Sequence, residues 1–304
     1  MRARPLGSPA PRCSPCGSFR PPRQPSARHP LRSSASGSNL SRTVKVLVDS
    51  HAHVSGDRFA ADRAEVLARA RAAGLVGIVD VGCDVPSSEA AAALAEADDL
   101  VWAAVGLHPH EARRWTPETG ERLAELTRRP RVVAVGECGL DFYYDHSPRE
   151  VQREVFAAQL RLGIELDMPV VLHIRDAYEE AFGILDAHRD PRLRGVAHCF
   201  TGDAHAAEGF VRRGFCVSFT GVVTFKNAAQ VREAARAVPR ELLLCETDCP
   251  YMAPVPLRGK RCEPAYVVHT ARALAEARGE DPAALGAQMA RNAAQVFGLD
   301  LSSA

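Results

Sequence analysis

The feature that most constrains the fold of this chain is the alternation of short apolar, β-branched runs with stretches of helical periodicity. The runs predict eight strands, at 44–49, 75–82, 100–106, 131–137, 168–173, 195–199, 215–219 and 242–248. Helices are predicted between them, at 60–73, 87–97, 118–128, 149–166, 177–188, 204–213 and 228–237, and after them at 264–278 and 282–297. Eight strand–helix units in about 250 residues are typical of a (β/α)8 TIM barrel. We expect such a barrel over residues 43–304, with extra C-terminal helices; a doubly wound open sheet is the alternative.

The first 42 residues differ in composition from the rest of the chain. They contain eight arginines and no Asp or Glu and are rich in Pro and Ser, which predicts a disordered N-terminal extension. Residues 43–304 carry 30 basic and 37 acidic side chains, a formal net charge of −7. This balance argues against a protein that coats duplex DNA with a broad basic face. A site for an anionic substrate would need bound cations to supply positive charge.

The cysteines and the apolar runs predict where the protein resides. Nine cysteines, an odd number scattered through the chain, suit a reducing cytoplasm better than a disulfide framework. No apolar run approaches the roughly 18 to 20 residues of a membrane span, and the extension lacks the apolar segment of a secretory signal. We expect a cytoplasmic protein with no membrane association and no obligate protein partner.

Side chains that commonly ligate metals follow the predicted strands. Six of them lie at or just after a strand end: His51, His53, Glu137, His173, His198 and Asp248. Because the carboxyl ends of parallel strands meet at one rim of a barrel, these groups can converge although they are far apart in the chain. Four imidazoles and two carboxylates predict a centre for divalent cations.

The first three of these residues also have an interpretation without a metal. His51 and His53 are two apart on an extended strand and can face the same side, or they can lie on the surface beyond it. Glu137 follows a small apolar run, so its charge requires a partner. That partner can be a pair of bridged cations or an arginine such as Arg175; alternatively, Glu137 is exposed at the rim.

The other three also have alternatives. His173 and His198 can each be a hydrogen-bonded core histidine, although two at consecutive strand ends favour a shared role. Asp248 can cap a helix, but Pro250 and the prolines beyond it predict a loop. We therefore expect Asp248 to be a ligand that also accepts a proton from the attacking water, with Glu137 as the second catalytic carboxylate.

Four further residues are predicted to contact the substrate: His108, Arg175, Asp141 and Tyr143. His108 follows the third predicted strand, and Arg175 has the forked donor geometry that suits a phosphate. Asp141 can instead orient a ligand histidine or shape its loop.

The chain resembles the TatD family of metal-dependent hydrolases. The resemblance rests on DSHAH (49–53), GLHPH (106–110), GECGLD (136–141), HIRDA (173–177), HCFTG (198–202), ETD (246–248), EPAYV (263–267) and NAAQVFG (292–298). It implies a metallo-dependent hydrolase barrel, two divalent cations and hydrolysis of phosphodiester bonds in DNA, often from the 3′ end. The family's ligand positions carry over onto all six candidates. Cys262 replaces an Asn common in the family, which puts the packing or substrate contact of that loop in doubt.

The predicted function is that of a deoxyribonuclease with a binuclear centre and a metal-activated water. Its substrate is expected to be single-stranded DNA or DNA 3′ ends, its metals Mg²⁺, Mn²⁺ or Zn²⁺, and its role DNA repair or degradation. One alternative is an amidohydrolase-type enzyme acting on an amide, a lactone or an ester, including the aminoacyl ester of mischarged transfer RNA. Another is a nucleic-acid-binding protein that has lost its activity.

Overall fold

The computed structural model describes residues 46–301, so the predicted extension 1–42 lies outside the described residues. Eight parallel strands follow one another around a single sheet in chain order. They are β1 Leu47–Ala52, β2 Leu75–Val81, β3 Val101–Val105, β4 Val132–Asp141, β5 Val170–Arg175, β6 Gly195–Ala197, β7 Cys216–Phe219 and β8 Leu243–Cys245. The predicted TIM barrel is confirmed, and the doubly wound sheet is wrong.

Helices alternate with the strands and cover the outside of the sheet. They are α1 Arg63–Ala72, α2 Val85–Ala97, α3 Pro117–Leu126, α4 Arg149–Glu165, α5 Tyr178–Ala187, α6 Ala204–Val211 and α7 Ala229–Ala237, followed after β8 by α8 Val267–Arg278 and α9 Pro282–Phe297. Local sequence sets several helix ends: Asp84 accepts a hydrogen bond from the backbone N–H of Ser87 at the start of α2, and Gly298 ends α9 in the left-handed conformation. Within residues 46–301, no helix combines the length and apolar character needed to cross a membrane.

The carboxyl ends of three strands differ from the predicted ones by three residues or more. β1 ends at Ala52 and therefore contains His51, β4 continues past Glu137 to Asp141, and β8 ends before Asp248. The continuation of β4 includes a register shift against β5 between Gly136 and Cys138. Such an irregularity re-aims the side chain at the shift without ending the strand, which an apolar pattern alone does not reveal.

The core has two layers, one inside the barrel and one between the sheet and the helices. Val48, Val171 and Leu244 belong to the inner cluster, which also includes Phe297 of α9. Asn292 of α9 donates hydrogen bonds to the carbonyls of Arg240 (2.8 Å) and Leu243 (2.9 Å), at the start of β8. α9 therefore closes the amino end of the barrel, and the carboxyl end is left for a site.

The first and last strands meet near that carboxyl end. An isolated bridge joins Ala52 to Cys249, and the N–H of Asp248 donates to the carbonyl of His51 at 2.9 Å. Below it, the Asp49 carboxylate accepts hydrogen bonds from the N–H (2.8 Å) and the hydroxyl (2.6 Å) of Thr247. We call these contacts between β1 and the segment after β8 the seam of the barrel.

Candidate metal centre

All six predicted ligands lie at the carboxyl end of the barrel. His51 lies in β1 and His53 directly after it, Glu137 in β4, His173 in β5, His198 after β6 and Asp248 after β8. Five of them line a pocket of about 440 Å³. His51 is fully buried beside it. The structure thus brings together residues that are almost 200 positions apart in the chain.

One group of donor atoms surrounds the Nε2 atoms of the first two histidines. Nε2 of His51 lies 3.3 Å from Nε2 of His53. The Asp248 carboxylate is 3.4 Å from Nε2 of His53 and 4.0 Å from Nε2 of His51. Oε2 of Glu137 completes the group at 3.4 Å from Nε2 of His51.

A second group surrounds the other oxygen of Glu137. Oε1 lies 2.7 Å from Nε2 of His198 and 3.0 Å from Nδ1 of His173. These two nitrogens are 3.4 Å apart. Glu137 is therefore flanked by a group of donors on each side, with one carboxylate oxygen facing each group.

The outer nitrogens of three of these histidines lie near an acceptor, and those of His53 and His173 are hydrogen-bonded to it. Nδ1 of His53 lies 2.7 Å from the Val81 carbonyl, and Nε2 of His173 lies 3.1 Å from the Asp141 carboxylate. Nδ1 of His198 faces the buried Glu246 carboxylate at 3.3 Å. A proton on each outer nitrogen leaves a lone pair on the inner one, which is the tautomer that a metal requires.

This arrangement suits cations. Lone pairs of His173 and His198 would face each other and Glu137 at 2.7 to 3.4 Å, and such acceptors repel unless positive charge lies between them. Imidazole nitrogens with carboxylate oxygens are the donors that Zn²⁺ and related divalent ions take. The residues present therefore fit the divalent metals that the resemblance implies.

The pKa shifts in the cluster also indicate that positive charge stabilises it. Burial alone would raise the pKa of Glu137, but the facing imidazoles of His198 and His108 hold it well below its usual value. Burial alone would lower the pKa of His198, yet the carboxylates of Glu137 and Glu246 raise it well above its usual value. Protons and cations are thus alternative ways of neutralising this buried carboxylate.

Three of the four predicted substrate contacts line the same pocket: His108, Arg175 and Asp141. His108 accepts a hydrogen bond at Nδ1 from the N–H of His110 (3.1 Å), so its Nε2 carries the proton, 3.5 Å from Oε1 of Glu137. Arg175 also lines the pocket. Its closest carboxylate is that of Asp176, at 3.9 Å, and it makes no ion pair with Glu137 among residues 46–301.

Asp141 and Tyr143 differ from His108 and Arg175 in their surroundings. Asp141 is buried, and its carboxylate accepts hydrogen bonds from His110 (2.8 Å) and His173 (3.1 Å) and from the N–H groups of Tyr143 and Tyr144. This placement favours orientation of a ligand over contact with substrate. Tyr143 is exposed at the rim, with the Arg175 guanidinium 4.9 Å from its ring centre.

Several pocket residues were not identified from the sequence. Tyr144 and Tyr251 line the pocket on opposite loops. Cys83 follows β2, and its sulfur lies 3.8 Å from Oε2 of Glu137. The rule that found the six candidate ligands, a reactive side chain after a strand end, would also have identified Cys83. Cys262, the departure from the family pattern, is fully buried in the core, so it affects packing.

Sequence and structure comparisons identify the family. A family sequence model described as "TatD related DNase" matches residues 48–298. This chain belongs to that family. The membership predicted from sequence is therefore confirmed, and the predicted enzyme class, a metal-dependent hydrolase acting on ester bonds, is that of the family.

Individual relatives agree with the family assignment. The chain is 42% identical over 231 residues to the uncharacterized metal-dependent hydrolase YabD of Bacillus subtilis, covering 76% of this chain and 91% of the relative. It is 39% identical over 263 residues to the 3′-5′ ssDNA/RNA exonuclease TatD of Citrobacter rodentium, covering 85% of this chain and 100% of the relative. The crystal structure of the TatD homologue YJJV from Escherichia coli superposes with a TM-score of 0.79 at 30% identity, covering 84% of this chain and 98% of the homologue.

Proposed function

We propose that this protein is a metal-dependent exonuclease that hydrolyses phosphodiester bonds of single-stranded DNA and RNA from the 3′ end. The observation that carries the proposal is the Glu137 carboxylate between two groups of inward-facing imidazoles. Relatives named 3′-5′ ssDNA/RNA exonuclease TatD, at 38–39% identity over 83–85% of the chain, supply the substrate class and polarity.

We assign the six residues to two cation sites. His51, His53 and Asp248 would hold one cation, His173 and His198 would hold the other, and Glu137 would contribute to both sites. Divalent cations in such a centre act as Lewis acids toward phosphate oxygens and make a coordinated water more acidic. Four imidazoles with two carboxylates suit Zn²⁺ or Mn²⁺, and Mg²⁺ is the third candidate.

The remaining chemistry is assigned to side chains with access to the pocket. The Asp248 side chain is 12% exposed there, against 3% for that of Glu137, so Asp248 is placed to take the proton of the attacking water. His108 presents Nε2–H to the pocket and is placed to donate to a phosphoryl oxygen as charge develops. Arg175 is placed to hold the same or a neighbouring phosphate. Asp141 is assigned to positioning His173.

The rim of the pocket supports a single-stranded substrate. Tyr143, Tyr144 and Tyr251 are each more than half exposed, and they lie on the loops that follow β4 and β8. Exposed aromatic rings stack with unpaired bases, which are available in a single strand and covered in a duplex. A cytoplasmic location fits the seven described cysteines, all of which are free thiols. A role in DNA repair or degradation stays a prediction.

The amidohydrolase-type alternative lacks a supporting feature in this pocket. Binuclear relatives of that type often bridge their metals with a modified lysine at the end of the fourth strand; here that strand carries Glu137. The described lysines, Lys226 and Lys260, do not line the pocket. An aminoacyl-ester substrate likewise finds no specific support among the pocket residues described above.

The test is hydrolysis of oligonucleotides labelled at the 5′ or the 3′ end, with Mg²⁺, Mn²⁺ or Zn²⁺ added to the metal-stripped protein. A 3′-5′ exonuclease shortens the 5′-labelled strand stepwise and releases the 3′ label as a mononucleotide. Glu137→Gln should reduce the rate at least 100-fold and lower the bound metal measured by elemental analysis. Failure to cleave with all three metals, while lactones or amides are hydrolysed, would overturn the proposal.

A further inference from the structure

A groove with excess positive charge lies beside the metal pocket, between α7 and α8. It has a volume of about 540 Å³. Its charged and titratable lining consists of Lys226, Arg232, Arg236, His269, Arg272 and Glu276. Four permanent cations against one carboxylate give this groove a charge opposite to that of residues 43–304 as a whole, which carry −7.

The cations of the groove are not neutralised by carboxylates. Among residues 46–301, none of its lysine or arginine side chains forms an ion pair within 4.0 Å. Arg232 and Arg236 bind backbone carbonyls, at 2.8 Å from Phe225 and 2.7 Å from Ala277 respectively. Lys226 and Arg272 are exposed. By contrast, Arg213 on α6's C-terminal side pairs with Asp186 at 2.5 Å.

The loop after β8 contributes residues to both the metal pocket and the groove. Met252 lines the metal pocket, and Val255, three residues later, lines the groove. The N–H of Val255 donates to the hydroxyl of Thr224 at 2.9 Å, which ties the loop after β8 to the loop after β7. Gly221 allows this approach, because a Cβ there would lie 2.3 Å from the Met252 carbonyl oxygen.

We propose that the groove binds the phosphodiester backbone of the strand whose terminal nucleotide lies in the metal pocket. The inference rests on the proposed exonuclease function and adds where the rest of the substrate binds. Lysine and arginine attract phosphates without reading base sequence, as an enzyme that shortens any strand requires. Arg258, whose guanidinium lies 4.4 Å from the ring centre of Phe225, adds a further cation at the edge of the groove.

The inference predicts a dependence on strand length. If the groove binds the strand, a dinucleotide should occupy the metal pocket alone, whereas a longer strand such as a 12-mer should also contact Lys226 and Arg272. Each phosphate contact with a single strand contributes about 0.7 to the slope of log affinity against log salt. Affinity falls as salt rises from 50 to 200 mM. In a variant that lacks two such contacts, this fall should be smaller than in the native protein by a factor of roughly seven.

The test compares Lys226→Gln/Arg272→Gln with a control of equal charge change, Arg128→Gln/Arg189→Gln. Arg128 and Arg189 are exposed beyond the C-terminal ends of α3 and α5, at the opposite end of the barrel. With the metal-loaded enzymes, KM for a 12-mer should rise about tenfold in the groove variant only, and kinetics on the dinucleotide should stay within twofold. Fluorescence anisotropy with a 12-mer carrying hydrolysis-resistant 3′ phosphorothioate linkages should show the reduced salt slope, for DNA and RNA alike.

The outcomes separate the two proposals. If the unsubstituted enzyme hydrolyses no oligonucleotide, the proposed function fails, while the anisotropy series still measures binding in the groove. If it cleaves the 12-mer but the groove variant matches the control in KM, affinity and salt slope, the groove inference is overturned. An equal loss in both double variants would also overturn it, because it would reflect overall charge. Thermal melts check that each variant is folded. The charge-reversing pair Lys226→Glu/Arg272→Glu makes a larger electrostatic change, so a small effect of the Gln pair is not missed.

Discussion

The Asp141 carboxylate offers the sharpest test of how this centre is built. It accepts hydrogen bonds from Nε2 of His173 and of His110 on one side and from two backbone N–H groups on the other. Asparagine has nearly the same shape but only one acceptor oxygen. Whichever way the amide of Asp141→Asn turns, its NH₂ group faces donors, so one set of hydrogen bonds is lost.

The expected magnitude follows from what the lost bond does to His173. Removing the partner that orients a ligand histidine typically costs 10- to 100-fold in metal affinity, which corresponds to about 1.4 to 2.7 kcal/mol. The loss should be confined to the cation that we assign to His173 and His198. On the other side, His53 is oriented by the Val81 carbonyl, a main-chain group that this substitution leaves in place.

Metal content per chain, measured after equilibrium dialysis over a range of free metal concentrations, provides the assay. The native protein should show two binding events, and in Asp141→Asn one of them should move to 10- to 100-fold higher concentration, with activity following that event. The control is Asp190→Asn, which removes an exposed pair with Arg192 at 2.9 Å and should leave both events unchanged. Two unshifted binding events in Asp141→Asn would refute the reasoning.

Three further predictions test other parts of the site. Glu246→Gln should reduce activity about tenfold or more, because the buried carboxylate that faces Nδ1 of His198 loses its charge; steady-state kinetics with a native-like melting curve would check this, and full activity would count against it. Gly139→Ala should lower Tm by about 5 °C or more, since φ is +142° and a Cβ would lie 2.1 Å from the His173 carbonyl oxygen. Gly183→Ala is its control, because that helix position has open space and should be neutral or slightly stabilised. Metal at about 100 times its Kd should raise Tm by roughly 5 to 10 °C over the EDTA-treated protein, as ligand binding to the folded state contributes about 2.7 kcal/mol under those conditions; coincident melting curves would argue against a cation in this cluster.

The barrel could be predicted because its signal is repeated. The short β-branched runs alternate with stretches of helical periodicity throughout the chain. An error in the bounds of one element therefore does not change the count of eight strands. The candidate ligands could be predicted for a related reason: His173 and His198 are polar residues at the ends of apolar runs, and parallel topology brings such ends together. The chain-order sheet then places them at one rim.

Other features depend on contacts that a strand pattern does not contain. The length of β4 depends on the shifted register around Glu137, which arises from how β4 and β5 pair. Asp141 accepts hydrogen bonds from His110 and His173, which lie 31 and 32 positions away, so sequence patterns offered a positioning role only as an alternative to substrate contact, and the fold favours it. Tyr251 lies in a loop whose path depends on packing against the loop after β7, and sequence periodicity does not predict such packing.

The seam determines when activity can first arise during synthesis of the chain. Synthesis proceeds from the amino terminus, so a nascent chain that has emerged only as far as residue 242 lacks β8 and Asp248 while already containing the other five predicted ligands. Such a chain has two unpaired strand edges and an incomplete cation cage. Hydrolysis should therefore begin only once the final strand has joined the first, and a fragment ending at residue 242 should remain inert on oligonucleotides with any added metal.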